Sequence, residues 1–106
     1  MRTLEDYHNY FQQIDGVNAL YLIHINTKKI HKRVINSNHD KASAIESMQS
    51  LSNYIKRDEF EMIYIESKEN IFFKNLSSDN SDNIVLVIFT DKNLVLGSIF
   101  STLKKL

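Results

Sequence analysis

The chain has 106 residues, 42% of them hydrophobic and 25% charged, and its 13 basic residues balance 13 acidic ones. That length and mixture suit one domain with its own core and argue against a disordered chain. Zero net charge speaks against a dedicated nucleic-acid or membrane-surface binder, and the absence of Cys removes disulfide and thiolate chemistry.

There is no Pro, and Gly occurs only at Gly16 and Gly97. Turns must then be made by Asn, Asp and Ser, whose side chains bond their own backbone and tolerate left-handed geometry. The opening Met1-Arg2-Thr3-Leu4-Glu5-Asp6 has no apolar signal region, and the longest apolar run, Ile84 to Phe89, is too short to span a bilayer. The expectation is a cytoplasmic protein with no membrane insertion.

Thr3-x-x-Asp6 has the spacing of a capping box, and Leu4, Tyr7, His8, Phe11 and Ile14 follow at helical intervals. Asp15-Gly16 closes that helix, with Gly free to take the left-handed conformation. Val17 to Ile25 is apolar at nearly every position, the pattern of a strand covered on both faces. Asn26-Thr27-Lys28-Lys29 turns the chain, and Ile30, Lys32 and Val34 then alternate with His31, Arg33 and Ile35. Residues 17–35 read as a hairpin.

Ser37-x-x-Asp40 is a second capping-box spacing, and it opens a helix from about Asn38 to Lys56. At about 100° per residue, Ala44, Met48, Leu51 and Ile55 form an apolar stripe. Glu46, Gln49, Asn53 and Lys56 form a solvent arc. A third stripe, Ser43, Ser47, Ser50 and Tyr54, is spare, because a helix buried on one side needs only two faces. Its small side chains would admit a second backbone closely.

Phe60 to Glu66 is a strand with Phe60, Met62 and Tyr64 on one face and Glu61, Ile63 and Ile65 on the other. Asn70 to Leu76 is the next strand, followed by the polar loop Ser77 to Asn83. Ile84 to Phe89 is the most apolar strand and is expected at the centre. Asp91 is placed to cap a last helix carrying Leu96, Ile99, Phe100, Leu103 and Leu106. Lys104 and Lys105 stand at its C-terminal end, where the macrodipole favours cations.

The predicted order is α-β-β-α-β-β-β-α, an α/β (α+β) chain with one antiparallel five-stranded sheet. Strands 17–25 and 84–89 should be central neighbours, with 29–35 and 60–66 as edges. The middle helix should cover one face and the first and last helices the other.

Three stretches, Ile14-Asp15-Gly16-Val17-Asn18-Ala19, Phe60-Glu61-Met62-Ile63-Tyr64-Ile65-Glu66 and Asn93-Leu94-Val95-Leu96-Gly97, taken with this order of elements, resemble the roadblock/dynein light-chain seven family over nearly the whole chain. The family's turns commonly carry Gly where this chain has Asn26-Thr27-Lys28-Lys29 and Arg57-Asp58-Glu59. The resemblance implies a profilin-like fold and a homodimer, or a pair with a second roadblock-like subunit. In such dimers the middle helices pack together and the third strands join two sheets. It also implies partners among small Ras-like GTPases or larger signalling and transport complexes, with no catalytic residues to carry over. The expected dimer interface is Ser43, Ser47, Ser50, Tyr54, Phe60, Met62 and Tyr64. The expected partner-binding residues are the basic group Lys28, Lys29, Lys32 and Arg33, which would steer an acidic partner.

Chemistry-bearing patterns are sparse. His24 and His31 would face each other across the hairpin if its turn centres between Thr27 and Lys28, but a zinc site would need His39 or a carboxylate to complete it. Asp79, Ser81 and Asn83 begin like a calcium loop, yet Ile84 and Thr90 stand where Gly and Glu are required. Glu59 and Glu61 share a strand face without a cleft around them. With no phosphate loop, nucleophile elbow or H-E-x-x-H, no enzyme, metal or cofactor is expected. The competing readings are a profilin- or PAS-like small-ligand sensor and a secretion-type chaperone dimer. A sensor would keep small or polar residues on the inward strand faces.

Overall fold

The elements follow in the predicted order: α1 (Leu4–Phe11), β1 (Val17–His24), β2 (Lys29–Val34), α2 (Lys41–Ile55), β3 (Met62–Glu66), β4 (Asn70–Asn75), β5 (Ile84–Thr90) and α3 (Leu96–Lys104). The computed structural model describes residues 4–24, 27, 29–37, 39, 41–55, 61–76, 84–93 and 96–105. The strands form one antiparallel sheet in the order β2-β1-β5-β4-β3. The two most apolar runs are therefore neighbours, as their composition requires, and the half-polar strands lie at the edges.

Each face of the sheet has its own core. On one, Tyr7 and Phe11 of α1 and Ile99 and Leu103 of α3 pack with Leu20, Leu22, Phe72, Leu86 and Ile88. On the other, Ala44 of α2 packs with Ala19, Tyr21, Ile71, Phe73, Val87 and Phe89, and Met48, Ile63 and Ile65 join from the margin. Removing side chains such as Phe11, Phe72 and Phe89 from water contributes about 2 kcal/mol each. Among the described residues no helix is long and apolar enough to cross a membrane.

Several boundaries differ from the sequence expectation. In the hairpin, His24 pairs with Lys29 and His31 with Leu22. The two imidazoles are therefore diagonal rather than opposite neighbours, with ring centroids 5.3 Å apart. The pairing is thus shifted by two residues from the register that would set the two rings opposite each other. Helix α3 starts at Leu96, too late for Asp91 to cap it. Instead the Asp91 backbone N–H donates to the Gly16 carbonyl at 2.7 Å. Gly16 has φ 97°, the left-handed region that only Gly enters without a Cβ clash.

Where β1 meets β5, the register slips between Val17 and Ala19. Asn18 is the extra residue. Its carbonyl accepts the N–H groups of Ile35 and Asn36, at 2.8 and 2.9 Å. A bulge of this kind re-aims the side chain it carries.

Candidate functional site

Two features stand out: a pair of sheet edges, β2 and β3, with no further strand paired to them among the described residues, and a buried polar cluster at one end of the sheet. The edges can be phased from single hydrogen bonds. In an antiparallel ladder, residues alternate between bonding the neighbouring strand and pointing their N–H and C=O away from it. The Ile35 N–H donates to the Asn18 carbonyl, so residues 29, 31 and 33 bond β1 as well. Ile30, Lys32 and Val34 then point their backbone outward. The Asn75 N–H donates to the Glu61 carbonyl at 2.9 Å, so Ile63 and Ile65 bond β4 while Met62, Tyr64 and Glu66 point outward.

Side chains alternate independently of this. Met62 and Tyr64 pack on the α1/α3 side. Tyr64 rests against Phe72 and Phe100 at 5.1 and 5.8 Å between ring centroids, and its hydroxyl donates to Asn70 Oδ1 at 3.0 Å. Ile30, Lys32 and Val34 pair with Ile23, Tyr21 and Ala19 and so stand on the α2 side. Every residue of β2 is exposed, Ile30 to 52% and Val34 to 39%.

The expected interface residues divide accordingly. Ser50 is exposed, whereas Ser47 is buried within the subunit at 9%. Ser47 lies only about 60° around the helix from Ala44, close enough to share its buried face. The side chains of Ser43 and Tyr54, and all of Phe60 and Lys28, lie outside the described residues. Among the described residues of α2, the large apolar side chain left exposed is Ile45, at 60%, a position outside the three stripes read from the sequence. Lys29, Lys32 and Arg33 are all on the exposed edge, and Arg33 is held by Glu5 of α1 at 2.8 Å. Glu61 meets the buried Lys74 at 3.5 Å. Glu59 and the loop 77–83, with Asp79, Ser81 and Asn83, are outside the described residues. Among those described, no group of three His, Asp or Glu is arranged to hold a metal ion.

The polar cluster was not anticipated. The Tyr21 hydroxyl lies 2.7 Å from His39 Nε2, and His39 Nδ1 lies 3.1 Å from Glu69 Oε1. The Asn18 amide donates to Glu69 Oε2 and to Asp91 Oδ1, each at 2.9 Å. Asn70 Nδ2 donates to the Asp91 carbonyl at 3.3 Å. Burial, and after it the negative charge of Glu69, raise the Tyr21 phenol above its ordinary range. A carboxylate only accepts, so His39 Nδ1–H donates to Glu69, and in the neutral imidazole Nε2 then accepts from the Tyr21 hydroxyl.

This chain of donors crosses four parts of the fold: the β1 bulge, the segment before α2, the β3–β4 turn and the end of β5. Tyr21, His39, Glu69 and Asn18 are exposed to 5, 7, 6 and 2% respectively. The cluster's hydrogen bonds fasten the segment before α2 to the sheet. Asn18 Oδ1 is buried and accepts nothing among the described residues.

His39 is thus committed to Tyr21 and Glu69, away from the His24–His31 pair it was invoked to complete. One local signal existed for the cluster, since Asn18 interrupts an otherwise apolar run. Comparison of the chain with protein-family models, with curated proteins and with solved structures finds no match.

Proposed function

We propose that the chain is a non-catalytic, cytoplasmic interaction module of roadblock type that pairs with a second copy along β3 and offers β2 to a partner. The observation that supports this reading is the phase of the two edges. Residues opposite one another in an antiparallel pair put their side chains on the same face. If Met62 stands opposite Glu66 of a second copy and Tyr64 opposite Tyr64, both α1/α3 layers fall on one side of a continuous sheet. Both α2 helices then fall on the other side, where they can meet.

The alternatives are less favourable. Pairing β2 with β2 sets Lys32 against Lys32 and His31 against Arg33, and like charges directly opposite destabilise. Pairing β2 with β3 antiparallel turns one copy over, so that α2 of one shares a side with α1 and α3 of the other. The sheet face under α2 carries Tyr21, Ile71, Phe73, Val87 and Phe89, large side chains that favour a filled core over a sensor's pocket. Small Ras-like GTPases and larger signalling or transport complexes are the partner classes that the roadblock resemblance adds.

Light scattering on the purified chain tests the reading. A dimer at micromolar concentration, with amide protection at Met62, Tyr64 and Glu66, is expected. A monomer at high micromolar concentration would overturn it.

A further inference from the structure

We propose that β2 is a docking edge for an extended, acidic segment of a partner protein, added antiparallel as one more strand on the five-stranded sheet. The inference rests on the reading above, in which β3 is the self-pairing edge, and names what the other edge receives.

Three properties of β2 define the occupant. Its backbone offers a row of outward N–H and C=O groups at Ile30, Lys32 and Val34, by the phase of the Ile35–Asn18 bond. The side chains of the same three residues stand exposed on the α2 side as an apolar–cation–apolar row. On the opposite side, Lys29, His31 and Arg33 form a basic row, with Arg33 shared with Glu5. Lys29 and Lys32 have no counter-charge among the described residues.

An added strand must match both rows. Opposite Ile30 and Val34 it needs apolar residues, and between them, opposite Lys32, a carboxylate. Its intervening residues face Lys29, His31 and Arg33, so acidic side chains suit them as well. The complement is an acidic segment with two apolar residues four positions apart. Main-chain hydrogen bonds would supply the affinity and side-chain rows the specificity, as in strand addition generally. The cations would chiefly raise the association rate and make it salt-dependent. Set opposite themselves, the same cations would disfavour pairing of β2 with a second β2.

The test uses the ¹⁵N-labelled full chain and an end-blocked peptide, Glu-Val-Glu-Glu-Glu-Ile-Glu, at low ionic strength. Two control peptides accompany it. One has every Glu replaced by Lys, and the other is N-methylated at Val, the central Glu and Ile, whose N–H groups would bond β2. The expected result is that the acidic peptide slows exchange of the Ile30, Lys32 and Val34 amides. It should bind about tenfold or more tightly than either control, since several edge hydrogen bonds are at stake. Lys32→Glu, checked for a wild-type-like amide spectrum, should lose binding by a similar factor.

Equal binding of the N-methylated peptide would reduce the edge to an electrostatic patch and overturn the proposal, as would no binding at all. Light scattering on the same samples separates the two readings. An intact dimer that ignores the peptide sinks only this inference. A monomer that takes the peptide at Met62, Tyr64 and Glu66 sinks this inference and the proposed function together.

Discussion

His39 Nδ1 lies 3.1 Å from Glu69 Oε1, although the two residues are separated by 30 positions in the chain. The contact joins the segment preceding α2 to the turn between β3 and β4, two pieces with no ladder bonds between them. Because both side chains are almost fully enclosed, at 0% and 8% exposure, water cannot replace either partner if the other is lost. The orientation of α2 on the sheet therefore depends on this one pair more than on any surface charge.

Replacing Glu69 by Ala should destabilise the fold by about 3 kcal/mol, because it leaves His39 Nδ1 unpaired in a buried site and removes one of the two acceptors of the Asn18 amide. Glu69→Gln keeps the shape and one acceptor oxygen and should cost about half as much. Urea unfolding followed by circular dichroism gives both values. Equal, sub-kilocalorie losses would mean that the cluster is not a fastening.

Tyr21→Phe removes the hydroxyl from His39 Nε2 and should cost about 1 kcal/mol near neutral pH. The alkaline limb carries a second signature. The Tyr21 phenol is raised by burial and then by Glu69, so the folded state favours its protonated form. That contribution is complete below the ordinary tyrosine pKa of about 10 and is lost as pH climbs from there through the raised folded value. The wild type should therefore weaken more steeply than Tyr21→Phe above about pH 10. Parallel curves would contradict the assignment.

The sheet was legible because burial leaves a plain trace in composition. Val17 to His24 and Ile84 to Thr90 are apolar on both faces and became central, while the alternating Lys29–Val34 strand became an edge. The basic character of this edge, at Lys29, Lys32 and Arg33, was legible directly from the residues. The Tyr21–His39–Glu69 cluster was not. It depends on a one-residue bulge at Asn18 and on side chains from separate elements converging, and neither changes the hydrophobic period. Burial of Ser47 was missed because helical stripes are drawn as lines, whereas a sheet covers a wide arc of the helix.

The two glycines should respond to Ala in opposite directions. Gly16 has φ 97°, so a Cβ there is strained, and Gly16→Ala should cost about 1–2 kcal/mol. Gly97 lies in α3 with nothing within 4 Å of an added Cβ. Gly97→Ala should stabilise by about 0.5–1 kcal/mol through helix propensity. Thermal unfolding of the two variants against the wild type checks the pair. A stabilised Gly16→Ala would mean that the turn before β1 can relax to another conformation.

Three substitutions whose structural contexts differ test which flank of α2 the proposed dimer would use. Ser47 is buried within the subunit, so Ser47→Arg should unfold or strongly weaken the chain whether or not it dimerises. Ser50 is exposed and lies on the expected contact stripe, so Ser50→Arg should leave the monomer's stability within about 0.5 kcal/mol while forcing a long cation into the helix contact. Ile45 is exposed to 60% on a flank about 140° from Ser50, and Ile45→Lys tests that opposite side. With pairing along β3 and the serine flank against its mate, Ser50→Arg shifts the dimer toward monomer in sedimentation velocity and Ile45→Lys does not. The reverse outcome would move the helix contact to the Ile45 flank and leave β3 as the shared edge. If both variants stay dimeric while Tyr64→Pro, which removes an outward N–H from the edge, dissociates them, the strands alone hold the dimer.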